Sequence, residues 1–217
     1  MKIKDRAKPK QPPVEPGVYM AVCVGVVDLG EQYSEKFKSY ANKVKFVWAL
    51  PGETIEIDGK MEERQLSKEF SFSVSKKSGL RGFLQSWNGK SYSDEEFAEL
   101  DVFDQIGKAC QLQVVLNDTG EYSNVENLMP IPKGMQAPAS KTAFFSWDMD
   151  KWDDEAFQRL PSWTQEQIKK STQYQKDHVP QQDVSVQPQN DGGIATTSVR
   201  TGFAMTGESS ASAGAPF

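Results

Sequence analysis

Apolar and polar residues along the first 50 positions follow the patterns of two β-strands. A nearly continuous apolar run over 17–28 predicts a buried first strand that ends near Gly30. Residues 40–50 predict a second strand, because Val44, Phe46, Trp48 and Leu50 alternate along it and give it one face toward a core. Pro51-Gly52 is expected to end this strand, because Pro-Gly pairs favour turns.

A hairpin and a helix are predicted next. Residues 54–57 predict one strand of a hairpin, Asp58-Gly59 is a strong turn signal, and a long returning strand is expected through 66–74. The period then changes to that of a helix with one apolar face, carried by Leu80, Phe83, Leu84 and Trp87.

The later elements complete a recognisable order. Ser93 and Glu96 have the spacing of a capping box, which predicts a short helix over 94–100. Two strands are predicted at 110–116 and 122–129, with a polar turn between them. Five strands with one helix between the third and fourth is the arrangement of the oligonucleotide- and oligosaccharide-binding fold (OB-fold), a small β-barrel. Other small barrels and α+β sandwiches share this order.

The composition predicts a folded central part and flexible ends. Only 37% of residues are hydrophobic and the mean hydropathy is -0.60, which predicts that part of the chain does not fold. The proline-rich start carries five basic and two acidic residues, and the end is nearly free of aromatic residues. Residues 1–16 are predicted to form a flexible basic arm, and residues 17–130 an OB-fold-like domain. Residues 131–175 are predicted to be a linker with an aromatic, acidic and partly helical extension, and residues 176–217 a disordered tail.

The segment 143–175 contains too many large apolar residues for a free linker. We expect a short helix over 163–174, after Pro161. Its apolar side is expected to pack on the barrel, on a second copy of the chain in a homodimer, or in the groove of a partner protein.

Enzyme signatures are weak in this sequence. The lone His178 lies in a polar stretch, and Cys23 and Cys110 lie in apolar strands, where buried structural thiols are expected. Gly89-Lys90-Ser91 resembles the end of a phosphate-binding loop but lacks the glycine five residues earlier. The aspartates at 148–154 favour a solvated acidic face over a metal site, although a metal nuclease remains a remote alternative. We therefore expect no enzymatic activity, no metal and no cofactor.

Two features bear on location. No apolar run reaches the 18 residues of a membrane span. Basic residues before the run over 18–27 resemble a secretion signal, but prolines separate the two and the run is rich in valine. We expect a cytoplasmic protein.

Basic and aromatic residues concentrate around the predicted loop between the first two strands. Phosphates attract ammonium and guanidinium groups, and unpaired bases stack on exposed rings. In an OB-fold this loop and the second and third strands form the oligonucleotide groove. The candidate DNA-binding residues are Tyr33, Lys36, Phe37, Lys38, Tyr40, Lys43, Lys45, Lys68, Lys76, Lys77 and Arg81.

Not every ring in this region is a candidate. Phe46 and Trp48 share a strand face with Val44 and Leu50 and are expected in the core, as are Phe70 and Phe72. The formal net charge of -5 is unevenly spread, because residues 1–50 carry nine basic and five acidic side chains, and residues 143–217 carry six and ten. A basic front and an acidic rear allow the rear to compete with nucleic acid or to bind basic partners.

Several short segments resemble a group of bacteriophage and prophage single-stranded DNA-binding proteins, over about residues 17–175. They include Phe46-Val-Trp48-Ala-Leu50, Lys76-Lys-Ser78-Gly-Leu80-Arg81, Ile106-Gly107-Lys-Ala-Cys110, the run from Tyr122 to Pro130, and Phe145-Ser-Trp147. The resemblance implies an OB-like fold, no catalysis, and a role in phage DNA replication or recombination.

The end of the chain has a second likeness. Bacterial single-stranded DNA-binding proteins commonly end in an acidic stretch and a Pro-Phe tip that partner proteins bind. Pro216-Phe217 matches the tip, but the acidic stretch is absent. The resemblance implies that replication or recombination proteins bind this tail. The alternative function is an OB-type adaptor that binds no DNA and acts through 143–175 and the tail.

Overall fold

A computed structural model of the chain describes residues 11–178. Its main feature is a six-stranded sheet in which five strands are antiparallel and the last runs parallel to the first. The strands are β1 (Gly17–Ser34), β2 (Ser39–Ile57), β3 (Lys60–Ser71), β4 (Ala109–Leu116), β5 (Ser123–Met129) and β6 (Phe145–Trp147). Their order is β3-β2-β1-β4-β5, with β6 beside β1. The predicted mainly-β architecture is therefore confirmed.

β1 is longer than its sequence pattern predicted. The register with β2 shifts between Cys23 and Gly25 and again between Asp28 and Gly30, and pairing then continues to Ser34. Gly30 has a φ of 68°, which glycine adopts without a steric penalty. The prediction that the strand ends near Gly30 is wrong, because the bulge bends the strand without ending it. The first part of β1 thus pairs with β4, and its later part pairs with β2 and β6.

Pro51 also fails to end its strand. β2 continues to Ile57 through a register shift between Leu50 and Thr54, so the proline lies in an irregular stretch where it disrupts no regular ladder. The predicted turn at Asp58-Gly59 is confirmed, since Ile57 pairs with Lys60 and the two turn residues have φ values of 50° and 80°. Positive φ at both central positions suits a two-residue hairpin turn.

Two helices follow β3 in the chain and precede β4. α1 (Gly79–Asn88) has Ser78 as its N-cap, and α2 (Asp94–Ala98) begins with the predicted capping box. The apolar side of α1 packs on the inner face of the sheet and forms the main core. Its largest members are Phe46, Trp48, Phe70, Phe83, Trp87 and Phe97. Cys23 and Cys110 are free thiols buried in this core, as expected.

The sheet is open between β3 and β5, which do not pair as strands. The two strands nevertheless approach each other, and Lys68 spans the gap. Its Nζ donates to the carbonyl oxygens of Val125, at 2.6 Å, and Glu126, at 3.1 Å. A side chain here substitutes for ladder hydrogen bonds.

The described end of the predicted flexible arm is packed. Val14 is buried in the main core, and its carbonyl accepts a hydrogen bond from Ser123 Oγ at 2.9 Å. The Arg64 guanidinium donates to the carbonyls of Pro12 and Pro13. The prediction of a mobile segment through residue 16 is therefore corrected for 12–15, because one apolar side chain and three carbonyls are held by the sheet. The predictions for 1–10 and for 179–217 lie outside the described residues.

Residues 143–178, here called the extension, pack on the outer face of β1 and β2. After β6 come α3 (Asp154–Arg159), α4 (Ser162–Ile168) and α5 (Thr172–His178), so the predicted helix over 163–174 is divided in two. A second core joins β1 to the extension through Val27, Leu29, Trp147, Met149, Phe157, Leu160 and Ile168. Of the alternatives expected for this segment, the structure shows packing on the sheet of its own chain.

Glu63 of β3 fixes the segment that leads to the extension. Its carboxylate accepts hydrogen bonds from Ser140, Lys141 and Thr142. Burial alone would raise the pKa of Glu63, but these donors outweigh burial and hold the pKa below its usual value.

None of the helices between residues 11 and 178 has the length and apolar character needed to cross a bilayer.

Candidate nucleic-acid interface

Two exposed tyrosines meet across the β1–β2 hairpin. Tyr33 pairs directly with Tyr40, so both side chains project from the same face of the sheet. Their ring centroids are 5.1 Å apart, and the side chains are 43% and 58% exposed. Aromatic rings with this much exposed surface are available to stack on a ligand.

The tip of the same hairpin adds a third ring and two cations. The turn between the strands covers only residues 35–38, shorter than the predicted loop. Phe37 is 72% exposed, and Lys36 Nζ lies 5.4 Å from its ring centroid. Lys38 Nζ lies 2.6 Å from Glu35, but both side chains are exposed, so this pair contributes little stability and can exchange for a phosphate.

Phe72 is a fourth exposed ring, contrary to the prediction from the sequence. It was expected in the core with Phe70, but it is 50% exposed, because β3 ends at Ser71 and the apolar side of α1 covers only Phe70. The Phe72 N–H donates to the Asn42 carbonyl at 2.7 Å. Asn42 and Tyr40 are two residues apart on β2 and share a face. Tyr33, Tyr40 and Phe72, with Phe37 at the hairpin tip, are here called the ring row.

Lys45, a predicted DNA-binding residue, is buried in the structure. Its side chain is 1% exposed, and its Nζ lies 3.1 Å from Glu69 and 3.7 Å from the centroid of the Trp163 ring, with a hydrogen bond to Gln167. Burial lowers the pKa of Lys45, while Glu69 opposes this effect. The prediction that Lys45 contacts phosphate is corrected, because α4 covers this position of β2.

Arg81 is likewise buried and already paired. Its guanidinium donates to Asp94 Oδ1 at 2.7 Å and to the Tyr92 carbonyl, and it lies over the Phe97 ring. These contacts tie α1 to α2 and leave the charge little access to a ligand. The predicted DNA contact at Arg81 is corrected on this ground.

The remaining predicted cations divide into separate groups. Lys68 donates to the carbonyls of β5, and burial lowers its pKa. Lys43 lies three residues after Tyr40 on β2, and side chains alternate along a strand, so Lys43 projects from the opposite face. Lys76 and Lys77 are exposed in the segment that leaves β3 after Phe72, and Lys76 forms a pair with Asp94 at 3.1 Å. The structure thus gathers Tyr33, Lys36, Phe37, Lys38 and Tyr40 on one hairpin, with Lys76 and Lys77 following Phe72.

A cavity of about 340 Å³ lies on the side of Asn42 and Phe72. Its apolar lining comes from Val44, Phe72, Leu100, Val102 and Phe103, and its polar lining from Asp28, Asn42, Asp101, Asp148, Asp150 and Gln173. Burial raises the pKa of Asp28, and the charges of Asp148 and Asp150 raise it further. No sequence signal marked this cavity, since its lining comes from distant parts of the chain.

The predicted tail contact, Pro216-Phe217, lies outside the described residues. Within 11–178 no cluster of His, Cys, Asp or Glu side chains is arranged to hold a metal ion. The aspartates that suggested one have local partners: Asp153 accepts from two N–H groups at the start of α3, and Asp148 pairs with Lys151.

Comparisons with protein-family models, with curated proteins and with solved structures find no match to this chain.

Proposed function

We propose that the protein is an OB-fold-type single-stranded DNA-binding protein without catalytic activity, and that it acts in phage DNA replication or recombination. The fold part of this proposal is supported by the strand order and by the approach of β3 to β5. Adding that contact to the order β3-β2-β1-β4-β5 gives a five-stranded ring, and α1 lies between β3 and β4 in the chain. This connectivity supports the proposed OB-type barrel, in which partly open five-stranded rings occur.

The ring row is the observation that carries the function. Four exposed aromatic side chains lie on one hairpin and the adjoining end of β3, and clustered exposed apolar surface marks interaction sites. Base stacking on such rings contributes about 1–3 kcal/mol per base and tolerates any base. The positive charges for the phosphates come from lysines near these rings in the sequence. They are Lys36 and Lys38, which flank Phe37, and Lys77, in the segment after Phe72. Duplex DNA offers no free base faces, so the site favours single strands.

The adaptor alternative finds less support. It requires the apolar residues of the extension to be available to a partner, but Trp147, Phe157 and Ile168 are buried against β1 of the same chain. Recruitment of replication or recombination proteins through the tail remains part of the proposal.

Fluorescence polarisation with labelled single-stranded and duplex oligonucleotides of equal length tests the function. Wild-type protein is expected to bind the single strand tightly at low salt and to lose affinity steeply as salt is added. Tyr40→Ala should weaken binding roughly 5- to 100-fold, the equivalent of one lost stacking contact. Phe144→Ala, which removes an equally exposed ring outside the ring row, is the matched control and should bind normally. No binding of single strands at low salt would refute the proposal.

A further inference from the structure

The cavity beside Phe72 has the size and walls of a pocket for one planar ring. Its volume of about 340 Å³ lies near the lower limit of the ~300–1,000 Å³ typical of ligand pockets. The Phe72 and Phe103 rings provide aromatic surface, and Leu100 and Val102 add aliphatic surface. Asn42 both lines the cavity and accepts the Phe72 N–H through its carbonyl, so the cavity is continuous with the ring row.

The polar atoms of this cavity are mainly acceptors. Asp28 Oδ1 accepts from the Gly30 N–H at 2.8 Å, and Asp101 Oδ1 accepts from the Phe103 N–H at 2.8 Å. These bonds fix both carboxylates. Asp28 also accepts a backbone hydrogen bond from Met149, whereas the second oxygen of Asp101 is available to a ligand. Asp150 lines the same cavity, and its carboxylate accepts no hydrogen bond within the described part of the chain. A ligand that enters therefore needs hydrogen-bond donors for the carboxylates, and the side-chain amides of Asn42 and Gln173 can donate to it in return.

The phosphodiester backbone cannot be the group that enters, since the carboxylates would repel it. The neutral edge of a base can enter if it donates. Cytosine presents its N4 amino group where uracil and thymine present an O4 acceptor, and carboxylates accept from that amino group. The backbone would remain outside, near the lysines of the hairpin tip and of the segment after β3.

We propose that this cavity receives one base of a single strand bound on the ring row, and that it favours bases with an exocyclic amino group over uracil and thymine. The proposal rests on the proposed function, and it adds a base preference to a surface that otherwise stacks any base. Phe72 then forms the wall shared by the stacking surface and the pocket.

The affinities for oligo-dC and oligo-dU of equal length test the preference, because the two bases are matched in size and neither carries a methyl group. At one fixed salt concentration the wild-type protein should bind oligo-dC at least fivefold more tightly, as one base-edge contact of about 1–3 kcal/mol allows. The double variant Asp101→Asn/Asp150→Asn replaces two acceptors by amides of the same shape. It should bring the ratio of the two affinities close to one.

A control separates this effect from net charge. Glu56→Gln/Glu62→Gln neutralises two exposed carboxylates on the distant β2–β3 hairpin and should leave the ratio unchanged. Equal binding of oligo-dC and oligo-dU by the wild type would overturn the pocket and leave the proposed function intact. A preference for oligo-dC that persists in the aspartate variant would also overturn it. Failure to bind either oligonucleotide would overturn the proposed function, and the pocket with it.

Discussion

Gly25 and Phe145 are expected to be strongly coupled, because β6 pairs with β1 and the Phe145 ring occupies the space that a side chain at Gly25 would take. A Cβ atom added at Gly25 would lie 2.6 Å from Phe145 Cε2 and closer still to two other ring atoms. Carbon atoms pack best at about 3.5–4.0 Å, so the ring would have to retreat by roughly 1 Å or more. Among the described glycines, Gly25 is not one with a positive φ, so alanine adds no backbone strain and the effect is purely one of packing.

The magnitude follows from the surroundings of the ring. Phe145 is half-buried and packs against the second core and against Val24, Val47 and Ala49. Overpacking costs about 1–3 kcal/mol, and part of the packing of Phe145 would be lost as well, so Gly25→Ala should lower the free energy of unfolding by about 2–4 kcal/mol. Phe145→Ala should cost about 2–3 kcal/mol, less than the ~3–5 kcal/mol of fully buried phenylalanines, because Phe145 is only half-buried.

The double variant Gly25→Ala/Phe145→Ala distinguishes this account from two unrelated losses. Removing the ring removes the clash, so the double variant should be no less stable than Phe145→Ala alone. Additive effects would instead give about 4–7 kcal/mol. Urea unfolding followed by tryptophan fluorescence measures all four proteins, because Trp147 and Trp152 lie in or against the second core. Additivity within about 0.5 kcal/mol would refute the packing argument.

Three further predictions concern charged groups. Because hydrogen bonds hold the pKa of Glu63 below its usual value, the stability that this carboxylate contributes is present at neutral pH and is lost as pH falls through ~4.3 and below. Glu63→Gln should therefore flatten that part of a plot of Tm against pH and cost about 1–2 kcal/mol at pH 7. Lys45→Met removes the ion-pair partner of Glu69, which keeps its hydrogen bond from Gln167 and is 32% exposed. Urea unfolding should therefore show a loss of about 1–3 kcal/mol, less than for a fully buried pair. If the hairpin tip contacts phosphate, Lys36→Gln should reduce the slope of log affinity against log salt by about one, while Lys60→Gln, at the turn of the other hairpin, should leave it unchanged.

The elements that the sequence predicted correctly depend on local chemistry. The turn at Asp58-Gly59 needs two residues that tolerate positive φ, and the start of α2 needs only Ser93 and Glu96 at the right spacing. The apolar spacing that predicted α1 follows from the geometry of a single helix. Such signals can be recognised without knowing what packs on them.

The errors arise where a distant segment decides the outcome. Lys45 looks like any strand lysine until α4, about 120 residues later, covers it with Trp163 and Gln167. Phe70 and Phe72 have the same alternating position, and only the placement of α1 separates the buried ring from the exposed one. Of the candidate site, the aromatic part of the hairpin was predictable, since exposed rings in a charged stretch have nothing local to pack against. The cationic part was not, because its pairing is tertiary.

The most direct test of the central claim is an NMR titration of ¹⁵N-labelled full-length protein with a short single-stranded oligonucleotide. The account predicts that the largest amide shifts occur at 33–40, at Asn42 and at 72–77, and that α4 on the opposite face and the β2–β3 turn at 58–59 remain unchanged. Shifts confined to α4 or to that turn, or no shifts at saturating oligonucleotide, would contradict the claim that the ring row binds unpaired bases.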